Sequence, residues 1–97
     1  MIRSFRNDGT EEVFNGNRTS RARRTCPEHL WATARRKLDQ LDSVGSLEEL
    51  RIPPGNRLEV LKGERKGQFS IRINDQYRVC FTWAQGEPDE VEIVDYH

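Results

Sequence analysis

A chain of 97 residues with 34% apolar and 33% charged side chains and a mean hydropathy of -0.88 has room for one small core, since single cores usually extend to roughly 100–150 residues before a chain divides. This excludes repeat arrays and two-domain enzymes and leads to one domain over residues 1–97. No apolar run reaches the length of a membrane span or a signal-peptide core, and two cysteines are too few for a disulfide scaffold, so a cytoplasmic protein is expected. The net charge of zero conceals a gradient. Residues 83–97 carry Glu87, Asp89, Glu90, Glu92 and Asp95 without Lys or Arg, whereas residues 1–82 hold 16 basic and 11 acidic side chains, a net of +5. Such a basic body suits an anionic partner.

In chain order, a short strand is expected at Ile2 to Phe5, then a short helix capped by Asp8 and ended by Asn15-Gly16-Asn17. Arg18 to Arg24 has no apolar periodicity and reads as a mobile basic loop. Thr25-x-x-Glu28, with Pro27 in the first turn, has the form of a capping box, and Leu30, Ala34, Leu38 and Leu41 then make one helical stripe. Arg35, Arg36 and Lys37 fall on its back face. Ser46-Leu47-Glu48-Glu49 is a second, smaller capping box before the turn at Pro53-Pro54-Gly55.

From residue 57 the apolar period becomes two: Leu58 and Val60, Phe69, Ile71 and Ile73, Tyr77, Val79 and Phe81, then Val91 and Ile93. Four antiparallel strands are predicted, joined by turns at residues 63–66, 74–76 and 85–88. The fold class is therefore α+β, with N-terminal helices packed on a mainly antiparallel sheet.

Bringing the apolar faces into phase sets the register. Ile73 pairs with Tyr77, Ile71 with Val79 and Phe69 with Phe81, so Arg72 lies opposite Arg78. The preceding hairpin pairs Val60 with Phe69 and Leu58 with Ile71, which sets Arg57 beside Arg72. Like charges opposed across strands cost roughly 0.2 to 1 kcal/mol per pair, a cost that a bound phosphate or carboxylate reverses. Neutralisation by nearby acids such as Glu59 is the plainer account of the row. Tyr96 lands near Gln76 and Arg78, and arginine beside an accessible ring is a means of holding a splayed base and its phosphate. Arg78 falls on the polar face, so Arg78→Ala is expected to leave folding intact. Cys26-x-x-His29 with Cys80 and His97 makes four possible ligands, but Cys80 falls mid-strand and Cys26 at a helix start, so neither metal nor cofactor is expected.

The run Lys62-Gly63-Glu64-Arg65-Lys66-Gly67-Gln68-Phe69-Ser70-Ile71-Arg72-Ile73-Asn74, then Tyr77-Arg78-Val79-Cys80-Phe81 and Asp95-Tyr96-His97, with the opening Met1-Ile2-Arg3-Ser4-Phe5, resembles the HigB-type toxins of the RelE/ParE superfamily over essentially the whole chain. The resemblance implies a type II toxin that acts as a ribosome-dependent mRNA endonuclease and inhibits translation, held inactive by a helix-turn-helix, HigA-like antitoxin in a hetero-oligomeric complex. It carries the family's catalytic groups onto Lys62, Arg78, Asp95, Tyr96 and His97. Where much of the family has a basic residue before Val60, this chain has Glu59, which can serve as a proton acceptor or signal lost activity.

Metal-free cleavage through the 2′-hydroxyl needs a base, cations and an acid. Arg78, helped by Arg72, Arg57, Lys62, Arg65 and Lys66, is the expected phosphate clamp. His97, with an unperturbed pKa of about 6.5, is the natural acid. Asp95 or Glu59 supplies the base or orients His97, and Tyr96 stacks on a base. A binding module without catalysis and a ParE-like inhibitor of DNA gyrase are the alternatives.

Overall fold

The change of period near residue 57 divides the chain into a helical half and a sheet. A computed structural model describes residues 1–96, with helices α1 (Asp8–Asn15), α2 (Ser20–Thr25) and α3 (Trp31–Ser43) followed by strands β1 (Glu59–Val60), β2 (Gln68–Arg72), β3 (Tyr77–Ala84) and β4 (Glu87–Asp95). The four strands form one antiparallel sheet in the order β1-β2-β3-β4. This is the expected α+β architecture.

The helical half differs from its sequence reading in three places, each with a local cause. Asn7, not Asp8, caps α1: its side-chain oxygen accepts from the Thr10 N–H at 2.9 Å, and Asp8 becomes the first helical residue, where a carboxylate favours the helix dipole. Residues 18–24 are not a loop. Thr19 caps α2 by accepting from the Ala22 N–H at 3.2 Å, and Ala22, fully buried, anchors this otherwise basic helix in the core. Gly9 permits the approach of α1, because a Cβ there would stand 1.8 Å from Thr25 Oγ1 and 2.8 Å from the Arg21 carbonyl oxygen. The capping box at Thr25 does not form either, since the Thr25 hydroxyl donates to the Arg21 carbonyl at 2.9 Å inside α2.

After a short 3-10 turn at Glu28–Leu30, α3 begins at Trp31. Trp31, Ala34, Leu38 and Leu41 are its buried stripe, while Leu30 lies before the helix and packs at the core's margin. The indole N–H of Trp31 donates to the Cys26 carbonyl at 3.0 Å. Arg18 and Arg23, expected to be mobile, both ion-pair with Glu28 and lie over the Trp31 ring, with guanidinium carbons 5.7 and 6.0 Å from its centroid. Lys37 does not face solvent alone: its ammonium donates to the Asn56 side-chain oxygen at 2.6 Å. Burial, then Arg36 and Arg72, pull the Lys37 pKa below its ordinary value. The second capping box is present, with Glu49 accepting from the Ser46 N–H at 2.8 Å.

The β2–β3 register matches the phase argument residue for residue, pairing Phe69 with Phe81, Ile71 with Val79 and Arg72 with Arg78. The Phe69 and Phe81 rings stack with centroids 6.1 Å apart. Asn74 shapes the hairpin, its side-chain oxygen accepting from the Gln76 and Tyr77 N–H groups at 2.9 and 2.7 Å. Val60 pairs with Phe69 as expected. The expected pairing of Leu58 with Ile71 is absent, because β1 holds only Glu59 and Val60 and the backbone turns left-handed at Arg57, φ 45°.

Val60 is 66% exposed on this short outer strand. The β3–β4 connection narrows to Gln85 and Gly86, both at positive φ, so that Glu87 and Pro88 join β4. An unforeseen bulge lies between the Cys80–Glu92 and Thr82–Asp89 pairs, with Glu90 at φ 49°.

The N-terminal strand reduces to a parallel bridge between Phe5 and Val91. It nevertheless occupies the free edge of β4: the Val91 N–H donates to the Ser4 carbonyl at 3.0 Å and the Arg6 N–H to the Val91 carbonyl at 2.9 Å. Thr10 of α1, fully buried, completes that edge by accepting from the Ile93 N–H at 3.0 Å. One sheet face, with Ile71, Ile73, Val79, Phe81 and Ile93, joins α3 in the core. The opposite face carries the polar residues considered next.

Candidate active site

Strand alternation places Glu59, Ser70, Cys80 and Glu92 in one row across all four strands. The next row, two residues along β2 and β3, holds Arg72 and Arg78. At the end of these rows lies an open cleft of about 240 Å³ lined by Arg57, Glu59, Arg72, Asn74, Asp75, Arg78 and Tyr96. Three arginines meet two carboxylates there, so the cleft keeps an excess of positive charge.

Arg78 is the innermost of the three, at 8% exposure. Its Nε donates to the Ser70 hydroxyl at 2.7 Å and Nη2 to the Arg57 carbonyl at 2.6 Å. Its remaining terminal nitrogen, Nη1, stands 3.5 Å from Glu59 Oε1. The expectation that Arg78→Ala leaves folding intact therefore requires correction: alternation does put the residue on the polar face, but the side chain is packed and hydrogen-bonded there. Arg72 ion-pairs with Asp75, which is 98% exposed. Arg57 lines the same cleft from just outside the ladder, its carbonyl turned to Arg78 by the left-handed backbone.

Tyr96 closes one side. Its N–H donates to the Gln76 carbonyl at 2.6 Å, and the Arg78 guanidinium carbon lies 6.0 Å from its ring centroid. Tyr96 is 40% exposed. Burial, then the neighbouring Cys80, raise the phenol pKa above its ordinary value against the pull of Arg65 and Arg78. Tyr96 thus keeps its proton at neutral pH. Burial likewise raises the Cys80 thiol, which hydrogen-bonds with Tyr96.

The other candidates lie apart from this cleft. Arg65 bonds to Glu92 at 3.0 Å and to Gln68 at 3.1 Å, and with Arg6 and Glu64 they line a separate depression. The Glu92 hydrogen bond reinforces the Arg65 charge. Lys62 and Lys66 flank the 3-10 turn Gly63–Arg65, exposed and outside the cleft lining. Asp95 pairs opposite Tyr77 and accepts from the Gln76 side-chain amide at 3.1 Å, so the cleft does not include it. His97 lies outside the described residues. Ser70, Asn74 and Asp75 were missed by the sequence reading. Ser70 had a legible signal, since it shares parity with Arg72 and sits diagonally across from Arg78.

The family described as RelE-like toxin of type II toxin-antitoxin system HigB matches residues 3–97. The chain belongs to this family. It is 38% identical over 86 residues to Toxin HigB-1 of Vibrio cholerae serotype O1, covering 89% of this chain and 87% of the relative. To Endoribonuclease HigB of Proteus vulgaris it is 28% identical over 97 residues, 100% of both chains. The solved YoeB-YefM complex from Staphylococcus aureus aligns with 100% of this chain and 95% of that one at a TM-score of 0.56 and 18% identity, a likeness of fold alone. Among the described residues, no helix of this HigB-like toxin is long and apolar enough to cross a membrane.

Proposed function

We propose that this toxin is a ribosome-dependent endoribonuclease of the cytoplasm that cuts mRNA through its 2′-hydroxyl without a metal, residues 1–97 acting as one domain. The observation that carries the reading is the convergence of Arg57, Arg72 and Arg78 on one cleft with Glu59 and Tyr96. In-line attack of a 2′-oxygen on the adjacent phosphorus builds charge on the phosphorane, and guanidinium forks bind such oxygens where that charge develops.

Glu59, whose carboxylate stands beside Arg78 Nη1, takes the 2′-hydroxyl proton as general base. The P–O5′ bond breaks as the new 2′-O–P bond forms, and His97 protonates the departing 5′-oxygen. Asp95 orients His97, Tyr96 stacks on a base, and Lys62, Arg65 and Lys66 contact the flanking backbone. The products are a 2′,3′-cyclic phosphate and a 5′-hydroxyl.

The antitoxin is proposed to be a HigA-like helix-turn-helix protein, as the resemblance implies. Exposed Arg24 and Arg36 are better placed to meet its acidic surface than Arg18 and Arg23, which are engaged with Glu28. A binding module without catalysis has one observation in its favour, the Glu59–Arg78 ion pair, which occupies a phosphate-binding edge.

Induced expression in growing cells tests the reading. Growth arrest with ribosome-dependent mRNA cuts is expected. Arrest with DNA damage indicates gyrase inhibition, and growth without arrest indicates binding alone.

A further inference from the structure

Most fully buried side chains here are apolar, so a fully buried serine in mid-strand needs a reason. Ser70 has 0% exposure, flanked along β2 by Phe69 and Ile71, and lies between Glu59 of β1 and Cys80 of β3. Its hydroxyl accepts from Arg78 Nε at 2.7 Å, and its carbonyl oxygen lies 3.4 Å from Arg78 Nη2. The Arg57 carbonyl accepts from the same Nη2 at 2.6 Å, presented by a residue held at φ 45°. Left-handed backbone is uncommon for a residue with a side chain and persists where the surroundings enforce it.

A guanidinium has five N–H donors in a rigid plane. Anchoring Nε and Nη2 on the inner side fixes that plane and leaves Nη1 as the edge facing Glu59 and the cleft. Without the Ser70 hydroxyl, the Nε–H loses its 2.7 Å partner and the fork can rotate about its last bonds. Binding of a phosphate and stabilisation of its transition state respond differently to such rotation. A ground-state anion tolerates a shifted cation, but the charge that develops in the transition state does not.

We infer that Ser70 is a positioning residue that seats the Arg78 guanidinium so that its Nη1 edge meets the scissile phosphate. The inference rests on the reading of Arg78 as the phosphate clamp of an RNA-cleaving site.

The test compares Ser70→Ala, Ser70→Cys and Arg78→Ala with the full-length wild type, cutting mRNA on programmed ribosomes, with kcat taken per folded molecule. Ser70→Ala is expected to lower kcat roughly 10- to 100-fold with KM within about twofold, and to lack the slow exchange of the Arg78 Nε–H that its 2.7 Å hydrogen bond predicts for the wild type by NMR. Ser70→Cys adds little volume and keeps a weaker acceptor, so a smaller fall in the same direction is expected, and it serves if Ser70→Ala does not fold. Wild-type kcat in whichever serine variant folds, alongside an inactive Arg78→Ala, overturns the inference and leaves the reading of Arg78 standing. An equal rise in KM with unchanged kcat also overturns it. Wild-type cleavage by Arg78→Ala overturns the underlying reading itself.

Discussion

Arg72 and Arg78 stand directly opposite each other across β2 and β3, and each turns to its own carboxylate, Asp75 and Glu59. Two opposed cations are a standing cost to the sheet, of roughly 0.2–1 kcal/mol, and a bound anion removes it. Sulfate or inorganic phosphate is therefore expected to raise the melting temperature above that in chloride at matched ionic strength. Arg72→Gln should melt slightly higher than wild type in chloride, because the exposed Asp75 pair it gives up is worth little, and should lose most of the anion effect. Equal melting temperatures in the two salts count against an anion site.

The seating of Arg78 makes its replacement a matter of stability as well as chemistry. Arg78→Ala leaves the Ser70 hydroxyl and the Arg57 carbonyl without their donor, at a cost of about 1–3 kcal/mol for the fully buried Ser70 hydroxyl and less for the part-buried Arg57 carbonyl. Urea titration should show a lower midpoint with an unchanged slope. A midpoint equal to wild type means that water or a neighbour replaces the guanidinium.

Much of this arrangement was legible in the sequence. Period-two alternation with a three-residue turn was enough to oppose Arg72 to Arg78, because a one-residue slip would have turned Ile71 and Val79 out of the core. The same parity put Tyr96 beside Gln76 and Arg78. What alternation cannot convey is depth. It assigned Arg78 to the polar face, whereas its seating there depends on the Arg57 carbonyl brought in by a left-handed turn and on Glu59 of the short edge strand, neither of which has a periodic signature. The helix at residues 20–25 was missed for a related reason: only Ala22 reaches the core, and its remaining support comes from α1 at Gly9, Asp8 and Glu12 and from Glu28 and the Trp31 ring, contacts between segments that pattern reading treats separately.

Glu59→Gln separates binding from proton transfer. As general base, Glu59 accounts for about 10²- to 10⁴-fold in rate, so cleavage should fall within that range. Affinity for an RNA with a 2′-deoxy sugar at the cut site should hold or improve, since the amide no longer competes as an anion for Arg78 Nη1. Wild-type cleavage by Glu59→Gln would remove Glu59 from the role of base.

Burial pushes the Cys26 thiol up to about 11 from an ordinary 9.0. A raised pKa means that the folded state favours the protonated thiol. This contribution is complete below about pH 9 and is lost as pH rises through about 11. Buried Cys80 and the partly exposed Tyr77 and Tyr96, all shifted upward, add to the same trend, while Lys37, shifted downward, opposes it. Denaturant titrations between these pH values should show falling stability, with a shallower decline in Cys26→Ala. The native thiol should also react slowly with alkylating reagents at pH 8 and rapidly once unfolded.

If the cleft of Arg57, Glu59, Arg72, Arg78 and Tyr96 cuts RNA by attack of the RNA's own 2′-hydroxyl, as proposed, the chemistry of the cut ends shows it most directly. Purified toxin is incubated with mRNA on programmed ribosomes and the fragments are analysed by mass spectrometry. A 2′,3′-cyclic phosphate on the upstream fragment and a 5′-hydroxyl on the downstream one are predicted, with neither formed by Arg78→Ala. A 3′-hydroxyl and 5′-phosphate, or intact mRNA with the wild type, would contradict the account.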